Sequence, residues 1–175
     1  RLSGDGQVAM EVDGVVLALT DGRSATERAA ADNIPELVLF DLALDFTKAT
    51  RIVLTKADQT SEQAMAKACG FFQALDKCVS VIDDVPGMVV MRTVAALVNE
   101  AADAVQQGVA GVEDVDLAMR HGVNYPQGPF AWADSVGVAE LHTVLCNLQA
   151  SYGEDRYRPS LLLRRKTLAN TRFYN

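Results

Sequence analysis

The feature that most constrains this chain is a change of hydrophobic period at Asp84-Val85-Pro86-Gly87. Before that tetrapeptide the apolar residues fall in short β-type runs divided by turn residues; after it they recur at helical spacing. Gln7–Val12 and Val15–Ala18 read as strands joined at Asp13-Gly14, a hairpin signal. Ser24 reads as the N-cap of a helix over Ala25–Ala31, with Glu27 placed for a capping box. Leu37–Phe40 and Ile52–Thr55 read as buried strands. A helix is expected from Thr60 or Ser61 to about Leu75, carrying Ala64, Ala68, Phe71, Phe72 and Leu75 on one face, and Cys78–Ile82 as a further strand.

Beyond the change of period, a long helix is expected from about Met88 to Gln107, closed by Gly108 in a C′ position. Glu113, Asp114 and Asp116 load the first turn of a short helix to Met119, stopped by Gly122. Tyr125-Pro126-Gln127-Gly128-Pro129-Phe130 reads as an ordered loop, and Val138–Ser151 and Ser160–Ala169 as the remaining helices. The expected architecture is an α/β part over 1–83 followed by an all-α part over 84–175, with the boundary near 83–87.

Composition removes whole classes. With 175 residues, 49% hydrophobic and 22% charged, the chain has apolar mass for a core and no low-complexity tract. No apolar run approaches the roughly 20 residues that cross a bilayer, so no membrane association is expected. Residues 1–150 hold 10 basic and 21 acidic side chains, a net of −11, whereas 151–175 carry +4. No broad basic face follows, which argues against nucleic acid. Cys69, Cys78 and Cys146 are too few for a disulfide scaffold and lack metal-ligand spacing, so no metal and a reducing, cytoplasmic setting are expected. The chain begins at Arg1 without a signal core and reads as a piece of a longer protein.

Few residues carry recognisable chemistry. Gly4-Asp5-Gly6-Gln7-Val8-Ala9 matches a dinucleotide fingerprint in letters, but it has no strand before it and a β-like run after it, which is the wrong context. His121 lies at a helix end and His142 in an amphipathic helix, neither with a carboxylate at triad-like spacing. Asn99-Glu100 interrupt an apolar helix; they form either an exposed stripe or a buried polar pair that must find partners.

Several motifs occur in order: Asp84-Val85-Pro86-Gly87-Met88-Val89-Val90-Met91-Arg92, Leu97-Val98-Asn99-Glu100-Ala101, Gly108-Val109-Ala110, Asp114-Val115-Asp116-Leu117-Ala118-Met119, and Gly122-Val123-Asn124-Tyr125-Pro126-Gln127-Gly128-Pro129-Phe130. Together they strongly resemble the C-terminal helical domain of 3-hydroxyacyl-CoA dehydrogenases over about residues 78–163. The ending Tyr157 to Arg165 resembles the phenylacetate-catabolism branch, of 3-hydroxyadipyl-CoA and 3-hydroxybutyryl-CoA dehydrogenase type, whose members carry an extra C-terminal copy of this domain.

The resemblance implies a truncated Rossmann-like α/β remnant followed by a helical domain of this type. It implies that the whole enzyme oxidises 3-hydroxyacyl-CoA with NAD bound by an upstream domain, and that no cofactor is bound in this piece. The family's catalytic His and its partner Glu fall on Leu39 and Arg51, and its substrate-contacting Asn falls on Met91, so no catalytic residue is expected. Pro86, Gly87, Met91, Asn99, Glu100, Tyr125, Pro126, Gly128, Pro129 and Phe130 are the candidate pocket or interface residues. The expected role is a degenerate, non-catalytic repeat that packs on the enzyme's first helical domain or on a second subunit and supports the acyl-CoA cleft. The alternative is an acyl-CoA-binding or regulatory module in which Arg164, Arg165 and Lys166 meet CoA phosphates.

Overall fold

The computed structural model describes residues 9–174. The backbone divides into two compact units, Arg1–Met91 and Arg92–Asn175. The Gly4–Val8 part of the fingerprint match lies outside the described residues.

In the first unit five strands pair in chain order: β1 (Ala9–Val12), β2 (Val15–Leu19), β3 (Leu37–Phe40), β4 (Arg51–Lys56) and β5 (Cys78–Val81). The β1–β2 and β3–β4 pairs are antiparallel, and β2–β3 and β4–β5 are parallel. Asp13 and Gly14 turn β1 into β2 with φ of 48° and 81°, the left-handed pair that a two-residue hairpin of this hand needs. The two parallel pairs are bridged by helices, α1 (Ala25–Ala31) and α2 (Glu62–Ala74), as parallel neighbours require.

Side-chain alternation sends each strand's residues to two cores. Val15, Leu17, Val38, Phe40, Ile52 and Leu54 meet Ala64, Met65, Ala68 and Phe72 of α2. Ala18, Leu37 and Leu39 meet Ala25 and Ala29 of α1 together with Met88. Leu75, the expected end of α2, is its C-cap and is exposed. Ser24 and Ser61 cap α1 and α2 by accepting from Glu27 and Ala64 amides. Thr60 is no cap: its hydroxyl both accepts from and donates to the Leu37 backbone, tying the loop to β3.

The second unit is helical: α3 (Val90–Gln106), α4 (Val112–Gly122), α5 (Pro129–Val136), α6 (Val138–Tyr152), a 3₁₀ turn at Asp155–Tyr157, and α7 (Leu161–Leu168). α5 packs on α4 and α6, and α6 packs on the 3₁₀ turn and on α7. Phe130, Trp132, Leu141, Leu145, Leu148 and Leu163 are buried among them.

Three expectations need correction here. The long helix begins at Val90 rather than Met88, because Met88 has a φ of 51°, outside the right-handed region. The short helix runs to Gly122, not Met119, and the left-handed residue after it is Asn124. Pro129 and Phe130 open α5 instead of ending a loop. Proline lacks only an amide that the first helical position leaves unbonded, so Pro129 starts the helix it was expected to prevent.

Candidate functional site

Four aspartates organise both units in the same way: each carboxylate accepts backbone amides from a segment far off in the chain. Asp41, 2% exposed, accepts from Val89, Val90 and Met91 at 2.9, 2.7 and 3.0 Å, the opening amides of α3. Asp84 accepts from Ala25 at 2.6 Å and Thr26 at 2.8 Å. Asp116 accepts from Phe130 and Ala131 at the start of α5, and Asp134 accepts from Phe173 and Tyr174. A helix start leaves its first amides without partners and carries partial positive charge, so a carboxylate is the natural complement. Sequence reasoning misses all four as clamps, and it assigns Asp116 to the first turn of its own helix. Their partners lie between 14 and 59 residues away, where no local spacing rule reaches.

The turn from β2 into α1, Thr20-Asp21-Gly22-Arg23-Ser24, leads from a strand into a helix start, the kind of place where a phosphate group can bind. Here the donors are satisfied from within. Asp84 and Ser24 take the α1 amides, and Arg23 bridges Asp21 at 2.7 Å and Asp32 at 3.0 Å. Burial opposes the Arg23 charge, but the bonds to Asp21 and Asp32 outweigh it and raise the guanidinium's pKa; the bond from Arg23 draws Asp32 below the ordinary carboxylate value. Arg28 is buried and donates to the Leu19 carbonyl at 2.8 Å. An added pyrophosphate would meet two aspartates and filled amides, so these residues do not fit a dinucleotide.

Leu39 is fully buried in β3 and pairs across to Thr55 on β4. Arg51 is exposed at the start of β4, where it donates to the Ser80 hydroxyl at 2.7 Å. Met91 is buried, with its amide on Asp41. Neither a leucine nor a methionine side chain can move a proton or hydrogen-bond a thioester oxygen. The Thr55 hydroxyl is buried and, among the described residues, has no hydrogen-bond partner.

In the second unit the motif residues mostly build the scaffold. Pro86 and Gly87 form the turn before α3, Gly87 with a φ of 72°. Tyr125 packs against Trp132 with ring centroids 5.3 Å apart and planes tilted by 39°. Gly128 is pressed on Asp116, and a Cβ there would overlap the aspartate side chain. Asp116 also accepts from the Tyr174 hydroxyl at 2.9 Å; burial and then this bond push that phenol up to about 12. A recess of about 500 Å³ beside Pro126 and Gln127 is edged by Glu113, Arg120 and Tyr174.

Asn99 and Glu100 part company. Asn99 is 3% exposed, donating to the Arg158 carbonyl at 2.9 Å and accepting from the Ser160 amide at 2.8 Å, whereas Glu100 faces solvent. Asn99 thereby fixes the approach to α7, so the two expectations for this pair hold one residue each.

The basic trio is likewise divided. Lys166 donates to the Arg172 carbonyl at 2.7 Å and lies over the Phe173 ring. Arg164 borders a different recess, of about 560 Å³, with Arg158, His142 and Cys146. Burial, and then the Arg164 charge, lowers the His142 pKa. His121 is exposed. Among the described residues no three His, Cys, Asp or Glu side chains converge on a metal site, and no helix is long and apolar enough to cross a membrane.

The five-stranded sheet with covering helices, followed by a helical unit, defines a Rossmann-like remnant carrying an all-α dehydrogenase-type domain. Residues 17–86 match the 3-hydroxybutyryl-CoA dehydrogenase reduced Rossmann-fold domain, and residues 87–172 match the 3-hydroxyacyl-CoA dehydrogenase C-terminal domain. The chain belongs to the 3-hydroxyacyl-CoA dehydrogenase family.

It is 42% identical to 3-hydroxyadipyl-CoA dehydrogenase of Escherichia coli over 90% of this chain and 32% of that protein. A probable 3-hydroxybutyryl-CoA dehydrogenase of Bacillus subtilis is 30% identical over 86% of this chain and 53% of its own length. A crystal structure of 3-hydroxybutyryl-CoA dehydrogenase from Escherichia coli superposes with a TM-score of 0.86 at 41% identity, covering 95% of this chain and 34% of that one. The chain thus spans a third to a half of these relatives' lengths.

Proposed function

We propose that this chain is the non-catalytic C-terminal repeat of an NAD-dependent 3-hydroxyacyl-CoA dehydrogenase, of the kind that oxidises 3-hydroxyacyl-CoA to 3-oxoacyl-CoA. NAD and the proton-transferring His–Glu pair belong to another domain of the whole enzyme. The repeat packs on the first helical domain, or on a second subunit in a homo-oligomer, and supports the acyl-CoA cleft. The setting is cytoplasmic, within phenylacetate catabolism, as for the branch that the C-terminal motif resembles.

The observation that carries this reading is Leu39, a buried hydrocarbon side chain at the position where the resemblance puts the catalytic imidazole. The α1 amides held by Asp84 and Ser24 agree with it, since a dinucleotide would need them free. The test mixes this chain with the separately expressed remainder of the related Escherichia coli 3-hydroxyadipyl-CoA dehydrogenase. Alone, the chain should produce no NADH from NAD⁺ and 3-hydroxyacyl-CoA. Added to the remainder, it should bind and raise kcat/KM. Turnover by the chain alone, or no association, would overturn the reading.

A second reading, an acyl-CoA-binding or regulatory module, is favoured by Arg158 and Arg164 bordering one recess. It predicts saturable CoA binding in calorimetry that is lost when both arginines are replaced by glutamate.

A further inference from the structure

We infer that Cys146 is a modification site: its thiol exchanges with small disulfides that carry carboxylates, assisted by His142 and guided by Arg158 and Arg164. The inference concerns the chemistry of the helical unit alone and rests on neither reading above.

Cys146 and His142 stand one turn apart on α6, where side chains four residues apart are neighbours. The thiol is exposed, and its Sγ lies 3.9 Å from each ring nitrogen of His142. Whichever nitrogen lacks a proton is therefore equally near the sulfur. Burial, and then the Arg164 charge, holds His142 below its ordinary value, so at neutral pH the ring is uncharged and able to take the thiol proton.

The recess of about 560 Å³ that holds this pair is also bordered by Arg158 and Arg164, with Asp103 its one acid. Among the described residues neither guanidinium makes a hydrogen bond or an ion pair, so both are open to an incoming anion. The chain as a whole has a formal charge of −7, so attraction of an acidic reagent to Cys146 has to come from this recess. Reactive thiols are accessible ones in electropositive surroundings. Cys69 fails the first condition: it is half-buried, and burial pushes its thiol up.

The exchange is balanced within the two reactants. His142 takes the thiol proton, and the Cys146 sulfur bonds to one sulfur of the disulfide. The disulfide bond breaks, its electron pair leaves with the other half as a thiolate, and that thiolate recovers the proton from the imidazolium. Cys146 is oxidised to the mixed disulfide and one half of the reagent is reduced to a thiol.

The experiment incubates the full chain at neutral pH with oxidised glutathione, an acidic disulfide, or with cystamine, a basic one. Mass spectrometry times the mixed disulfide at each cysteine, with exposed Cys78, in the other unit, as the internal standard. Relative to Cys78, the glutathione-to-cystamine rate ratio at Cys146 should fall about tenfold or more when Arg158→Gln and Arg164→Gln are combined, and high salt should have the same effect on the unaltered chain. His142→Gln should slow both reagents at neutral pH and leave their ratio unchanged. That deficit should close toward roughly pH 10, where a thiol ionises without a base. No mixed disulfide at Cys146, a rate ratio that survives loss of both arginines, or a His142→Gln rate equal to that of the unaltered chain at neutral pH would overturn the assignment.

Discussion

The side chain of Asp116 occupies the space that any side chain on Gly128 would need. The contact joins α4 to the start of α5 and explains why the turn before Pro129 carries a residue without a Cβ. The overlap involves the aspartate's own Cβ as well as its carboxylate, so rotation of the carboxylate cannot relieve it. Gly128→Ala should therefore cost about 2–4 kcal/mol, as overpacking with a displaced buried polar group does. Urea unfolding followed by circular dichroism should show a lower midpoint, and an unchanged midpoint would count against the contact.

Asp41 gives a sharper comparison. Its buried carboxylate serves three α3 amides at once. Asp41→Ala should destabilise by about 2–4 kcal/mol, and Asp41→Asn, which keeps an acceptor oxygen but not the charge, by about half of that. Hydrogen exchange at Val89, Val90 and Met91 should accelerate in both variants ahead of exchange in α6.

Thr55 should behave in the opposite sense. Its buried hydroxyl has no partner among the described residues, so Thr55→Val removes an uncompensated polar group at nearly constant shape. A gain of about 1 kcal/mol is expected in the same unfolding assay. A loss would mean that the hydroxyl is hydrogen-bonded after all.

Tyr174 should report on the C-terminal tail at alkaline pH. A folded-state pKa of about 12, above the ordinary 10, means that the folded chain holds this proton more tightly than the unfolded chain. The corresponding stability is complete below pH 10 and is lost as pH rises from there through about 12. Melting temperature against pH should fall over that interval, and the Tyr174-dependent part of the fall should vanish in Tyr174→Phe.

His142 should titrate below 6.5, chiefly because burial opposes its charge and secondly because Arg164 lies near. As its folded pKa is depressed, the linked stability is present above pH 6.5 and declines as pH falls. In Arg164→Gln the proton-detected midpoint of His142 should move upward, though not all the way to 6.5. A midpoint indifferent to this change would remove Arg164 as a cause.

Local rules made much of the fold legible. Ser24, Ser61 and Ser160 sit at the helix starts that their residue types imply, and Asp13-Gly14 makes its hairpin, because each effect acts within about four residues. What escaped was long-range. Nothing near Asp41 or Asp84 in sequence announces that each will hold the opening amides of a distant helix, up to 50 residues away for Asp41 and 59 for Asp84. Asn99 and Glu100 are adjacent and equally polar, and only the distant segment around Arg158 and Ser160 separates a buried role from an exposed one. At the candidate site the same limit applied to Lys166 and Arg164, neighbours in sequence whose charges face different surroundings once α7 is formed.

The chain-order pairing of the sheet bears on how the protein is made. Every strand hydrogen-bonds to the strand before it, so each addition closes only a short loop and none waits for a segment far downstream. Once Val81 has left the ribosome, all five strands are available, and the first unit can assemble while the helical unit is still being translated. The Asp41 carboxylate then stands ready when Val89–Met91 emerge, so the amides that open α3 meet a preformed acceptor.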